Sequence, residues 1–163
     1  MKTILALLAL SLSFAATGYS QRSQGKTADF QSDVKKEVES TIRAYLAGFG
    51  AAKCDDVTPV SKFVRDNMIY VLAKDIYTVS LADYEQGVRD RACKWISHSG
   101  EVESVVVDVL SRENAVAAWL YHDEVKLKSG EIKKTRGSVL MTLIRSAKGW
   151  KITSTMSIDE KIQ

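Results

Sequence analysis

Obvious chemical handles are scarce in this chain. It has one proline, two cysteines and two histidines among 163 residues. Cys54, Cys93, His98 and His122 stand at spacings that match no metal-ligand motif, so no metal site is expected. No glycine-rich phosphate loop, nucleophile elbow or metal-binding helix motif is present, and nothing in the sequence calls for a cofactor. Charge of neither sign dominates, with Lys+Arg 23 against Asp+Glu 20. Basic residues gather only at Lys126, Lys128, Lys133, Lys134 and Arg136, and Asp123, Glu124 and Glu131 interrupt them. Nucleic-acid binders carry a concentrated basic face. This stretch reads instead as a solvated β-hairpin, and nucleic acid is not expected as a partner. So few prolines and glycines leave little room for long linkers, and there is no internal repeat. The length fits a single domain.

Long apolar runs are also few, and the one that stands out lies at the start. Lys2 is followed by the apolar stretch Ile4 to Leu12, then Phe14-Ala15-Ala16, then the small residues Thr17, Gly18 and Ser20. That is the three-part pattern of a cleavable secretory signal peptide over residues 1–20. The run is short of the roughly 20 residues that span a bilayer. No cysteine near the cleavage region offers a lipid anchor. The expectation is a secreted or periplasmic protein without a membrane anchor after cleavage. Residues 21–29 read as a flexible leader, and residues 30–160 as one domain.

Export bears on the cysteines. In an oxidising compartment Cys54 and Cys93 could form a disulfide. Two buried free thiols are the alternative, since spacing alone does not show how close the backbones come.

Within the domain the spacing predicts a first helix from about Ser32 to Phe49, with Val34, Val38, Ile42, Tyr45, Leu46 and Phe49 on one face. Gly48 and Gly50 weaken its end. Thr58-Pro59 opens a short helix expected to reach Arg65, with Thr58 as its cap. Met68 to Leu72 and Ile76 to Val79 read as short strands. Ser80, with Asp83 three residues on, starts a third helix. Its apolar face is Leu81, Tyr84, Val88, Ala92, Trp95 and Ile96, and Ser97-His98-Ser99-Gly100 ends it. Four strands follow: Val102–Leu110, Ala115–Leu127, Ile132–Arg145 and Trp150–Ile158. Short turns between consecutive strands imply an antiparallel sheet. Helices first and strands last imply an α+β fold.

This order of elements resembles the nuclear-transport-factor-2-like superfamily, and within it the SnoaL-like and ketosteroid-isomerase-like group. The residues that carry the resemblance are Ile42-Arg43-Ala44-Tyr45-Leu46-Ala47-Gly48-Phe49, Asp66-Asn67-Met68-Ile69-Tyr70-Val71, Glu113-Asn114-Ala115-Val116-Ala117-Ala118-Trp119 and Gly149-Trp150-Lys151-Ile152. The resemblance implies a long N-terminal helix and two shorter ones packed in a curved antiparallel sheet, a cone with an internal pocket. It also implies a homodimer. Tyr45 matches a tyrosine that serves some members as an oxyanion donor. The aspartates of the isomerase branch have no counterpart near Tyr70–Val71 or at Leu140-Met141-Thr142, and Met156 stands near the place of a pocket histidine in related enzymes.

The function expected on this basis is binding of a small apolar molecule, without the isomerase acids. An isomerase or a cyclase/dehydratase-type enzyme, or a dimeric assembly module, is the alternative. The pocket candidates are Tyr45, Tyr70, Trp119, Tyr121, Met141 and Met156, and plain core filling accounts for the same side chains. Strand alternation places Ala115, Ala117, Trp119 and Tyr121 on one face and Val116, Ala118, Leu120 and His122 on the other. It does not say which face meets the helices. His98 reads as a turn histidine. His122 shares a face with Glu124 and could pair with it as acid and base.

Overall fold

The computed structural model describes residues 29–72 and 75–162, with side chains through 159. The expected signal peptide and all but the last residue of the leader lie outside the described residues. The chain divides into two compact units, residues 1–34 and 35–163. Of the first, residues 29–34 are described and are helical. Everything below concerns the second.

Helix α1 (35–51) buries Val38, Ile42, Tyr45 and Leu46 at 7% exposure or less, the single face that the spacing predicts. Gly48 has a specific task there. A Cβ at this position would lie 2.4 Å from the Pro59 carbonyl oxygen, so only glycine lets the next helix pack this closely. That helix, α2 (Thr58–Ser61), is shorter than expected because Val64 already belongs to a strand. Thr58 is its first residue rather than its cap; the Asp56 carboxylate accepts from the Thr58 N–H at 2.9 Å. This bond holds the Asp56 carboxyl below the usual carboxylate range.

Strand β1 (Val64–Val71) is longer than expected and passes through Asn67 at φ 57°, where its pairing slips register. β2 (Ile76–Val79) pairs with it antiparallel. Helix α3 (Leu81–Ala92) begins as predicted, with the Ser80 hydroxyl accepting from the Asp83 N–H at 3.1 Å. It stops earlier than predicted, and residues from Trp95 onward form β3 (Trp95–Val109). β4 (Asn114–Leu127), β5 (Ile132–Ser146) and β6 (Gly149–Ile162) complete a six-stranded sheet in the order β2-β1-β6-β5-β4-β3. The expected antiparallel pairing holds throughout β3 to β6, whereas β1 joins β6 in parallel. The fold is α+β, with a curved sheet as expected.

α1 lies across the inner face of this sheet. Arg43 Nη1 donates to the Val102 carbonyl at 3.0 Å. Trp150 Nε1 donates to Glu37 at 3.0 Å, and Arg145 pairs with the same carboxylate. β4 settles which of its faces is inward: Ala115, Ala117, Trp119 and Tyr121 are buried, while Ala118, Leu120 and His122 are exposed. Cys54 and Cys93 form a disulfide, with Cα atoms 4.4 Å apart, so the loop after α1 is tied to the end of α3. Among the described residues no helix is long and apolar enough to cross a membrane.

Candidate functional site

Two of the sheet's bulges bear most directly on which side chains of β3 and β6 enter the space between α1 and the sheet. A regular strand sends residues three apart to opposite faces. Between Trp95 and Ser97 the β3–β4 register slips by one residue, and Trp95 and His98 come to the same inner face. Their rings stack at 5.0 Å with 19° between planes. Trp95, expected on the apolar face of the third helix, is thus a residue of a bulged strand. The second bulge is in β6: Thr142 pairs with Ser154 but Leu143 with Ile152, which leaves Thr153 extra. The Thr142 hydroxyl pins it, 2.7 Å from the hydroxyls of both Thr153 and Ser154. Before the bulge Trp150 and Ile152 point inward; after it Thr155, Ser157 and Asp159 do.

The result is a cavity of about 500 Å³. Of the expected pocket residues, Tyr45, Tyr70, Trp119, Tyr121 and Met141 line it. Met156 does not. It is 37% exposed on the outer face, because the β6 bulge reverses the alternation that would have turned it inward. The expectation for His122 also changes: it lies outside, 3.6 Å from Glu101 and 3.4 Å from Glu103, while Glu124 pairs with Lys134 at 3.3 Å. His122 and Glu124 therefore form no acid/base pair in the cavity.

The ionisable groups that do line the cavity are others. His98, expected in a turn, is a strand residue with only 4% of its side chain exposed, and its Nε2 lies 3.2 Å from Asp123 Oδ2. Asp123 had a legible cue. It falls on the inward parity of β4, after Trp119 and Tyr121 and before Val125 and Leu127. Asp159 accepts from the Tyr121 hydroxyl at 2.8 Å. Arg91, Lys94 and Lys133 also line the cavity. Lys133 was read only as hairpin charge. Among the described residues no three His, Cys, Asp or Glu side chains come together as a metal site.

A neutral His98 imidazole that donates from Nε2 to the Asp123 carboxylate keeps a lone pair on Nδ1. That nitrogen has no hydrogen-bond partner. Asp123 Oδ1 and Trp119 Nε1 are buried and unpartnered too. An unpaired buried polar group costs about 1–3 kcal/mol, and here all three among the described residues belong to the cavity wall. The tyrosines behave differently. The Tyr45 and Tyr84 hydroxyls share a hydrogen bond of 2.9 Å. Burial raises the pKa of Tyr45, Tyr70, Tyr84 and Tyr121 above the ordinary phenol value, although the nearby Arg91 charge works against it for the first three. These phenols are neutral hydrogen-bonding groups at physiological pH and cannot serve as bases.

The backbone agrees with a set of solved structures. An NTF2-like superfamily protein from Salmonella enterica superposes with a TM-score of 0.65 at 15% identity, over 78% of this chain and 91% of that one. The chain has the nuclear transport factor 2-like fold. Other NTF2-like matches include a provisional scytalone dehydratase from Novosphingobium aromaticivorans (TM-score 0.72, 9% identity, 83% of this chain and 92% of that one). A hexachlorocyclohexane dehydrochlorinase from Novosphingobium barchaimii matches with a TM-score of 0.59 at 9% identity, over 80% and 90% of the two chains. No protein-family model and no curated protein matches the sequence. At these identities the likeness is one of fold, and the NTF2-like cavity has to be read from its own residues.

Proposed function

We propose that this protein is an exported small-molecule-binding protein whose cavity performs proton transfer on a compact, oxygen-bearing ring substrate, as a dehydratase or isomerase does. The observation that carries the reading is the His98–Asp123 pair on the cavity wall. An imidazole oriented by a carboxylate is a general acid/base, and aromatic walls at Trp95, Trp119 and Tyr121 suit a ring. Asp123 on β4 and Asp159 on β6 are carboxylates of the cavity wall. Solved structures of this fold, one provisionally named a dehydratase and one named a dehydrochlorinase, support the same class of chemistry. The Cys54–Cys93 disulfide and the apolar start of the chain support export. A homodimer through the outer sheet face, where Leu120, Leu140 and Met156 are exposed, belongs to the same proposal, and light scattering tests it.

The test of the chemistry is solvent exchange. Cyclic ketones and hydroxyketones are incubated with the protein in D2O and followed by NMR for deuterium incorporation beside the carbonyl. Exchange that disappears in His98→Gln and Asp123→Asn establishes proton transfer by the pair. Binding without exchange reduces the protein to a non-catalytic carrier.

A further inference from the structure

The charges around the cavity are not spread evenly. Tyr45, Trp119, Val139, Met141 and Thr155 are buried and uncharged. The exposed lining residues are mostly cations: Arg91 from the end of α3, Lys94 from the turn after it, and Lys133 from the β4–β5 hairpin. None of the three is firmly neutralised. Arg91 donates to the Gly87 carbonyl at 3.1 Å and lies 5.9 Å from the centre of the Phe49 ring. Neither Arg91 nor Lys94 has a carboxylate partner among the described residues. Lys133 has Glu131 at 3.7 Å, and both side chains are more than half exposed. The acids of the wall are committed elsewhere, Asp123 to His98 and Asp159 to Tyr121.

We infer that the natural ligand is an amphiphilic anion, a ring compound bearing a carboxylate or similar group. Its anionic group is held at the opening by Arg91, Lys94 and Lys133, and its ring lies inside against Trp119 and Met141. Guanidinium and ammonium groups recognise such oxyanions. Their attraction is stronger at a partly desolvated opening than in bulk water. A cavity of about 500 Å³ accommodates a molecule of two rings. This assignment rests on the cavity being a binding site, as proposed above, and goes further in naming the ligand's charge and its direction of entry.

Two fluorescent probes that differ in one group test it. 8-Anilinonaphthalene-1-sulfonate carries the anion, and N-phenyl-1-naphthylamine is its neutral counterpart. The protein should bind the sulfonate about tenfold more tightly at low salt, the sum of a few partly exposed ion pairs, and the preference should shrink as salt is added. The combined substitution Arg91→Gln, Lys94→Gln, Lys133→Gln should lower sulfonate affinity about tenfold, toward that of the neutral probe. Equal affinities in the wild-type protein, a preference indifferent to salt, or sulfonate binding untouched by the triple substitution would each overturn the anionic ligand while leaving the cavity a binding site. If neither probe binds, the binding reading itself fails and the anion with it. The salt dependence uses the wild-type protein alone, so the outcome does not depend on whether the variant folds.

Discussion

Tyr121 and Asp159 stand on β4 and β6, with β5 between them, and their 2.8 Å hydrogen bond passes over Gly137. The three residues are in register across the sheet, and the bond exists because the middle one has no side chain. A Cβ at position 137 would lie 2.7 Å from Tyr121 Cε1 and 2.9 Å from Asp159 Oδ1. Gly137→Ala is therefore expected to part the pair and to destabilise the protein by about 1–3 kcal/mol, despite alanine's better strand propensity. Thermal melts of the two proteins check this. An unchanged midpoint would mean that the sheet relaxes around the methyl group.

The His98–Asp123 pair makes a different prediction. Asp123→Ala leaves both imidazole nitrogens buried and unpaired, at a cost of about 1–3 kcal/mol. His98→Gln removes the base but keeps a donor. If the pair transfers protons, both variants lose solvent exchange, whereas Asp123→Ala shows the larger fall in denaturant midpoint. A variant that keeps full exchange would exclude the pair from the chemistry.

Raised phenol pKa values make stability depend on alkaline pH. Tyr45, Tyr70, Tyr84 and Tyr121 stay protonated in the folded chain above the pH at which they ionise when unfolded, about 10. Above that point the folded state binds more protons than the unfolded one. The stabilisation is thus complete below about pH 10 and is lost as pH rises toward the folded-state values. Absorbance at 295 nm should show a group of phenols ionising late, together with unfolding. Arg91→Gln should delay Tyr45, Tyr70 and Tyr84 further, since its charge favours their phenolates.

The disulfide closes a loop of sequence separation 39. On the chain-entropy model that contributes about 4 kcal/mol. The double substitution Cys54→Ser, Cys93→Ser should lower the melting midpoint accordingly. It should also weaken probe binding, because the bond ties the loop after α1 to the end of α3, next to Arg91 and Lys94. Mass spectrometry of the untreated protein should show the two-hydrogen loss of the bond.

Much of the fold was legible because local patterns carry it. The Val38, Ile42, Tyr45 and Leu46 stripe identifies α1, Ser80 with Asp83 marks the start of α3, and alternation in β4 separates Trp119 and Tyr121 from Leu120 and His122. Asp123 lies on that same inward parity. Periodicity failed where the period itself changes. Trp95 continues the helical stripe of Val88 and Ala92 but sits on a bulged strand, and Met156 follows the parity of Trp150 only up to Thr153.

By itself, then, the sequence determined the α+β class, the order of its elements, the residues of α1 that face the sheet, and which aromatic residues of β4 share a face. These follow from spacing along one element, and spacing is a local property. The tertiary structure alone decided that Cys54 meets Cys93, that His98 rather than His122 faces inward with Asp123, and that Arg91, Lys94 and Lys133 line one cavity. Each of these joins residues of different elements. One residue gained in a bulge reverses every side chain beyond it, and only the pairing of neighbouring strands shows where that residue is.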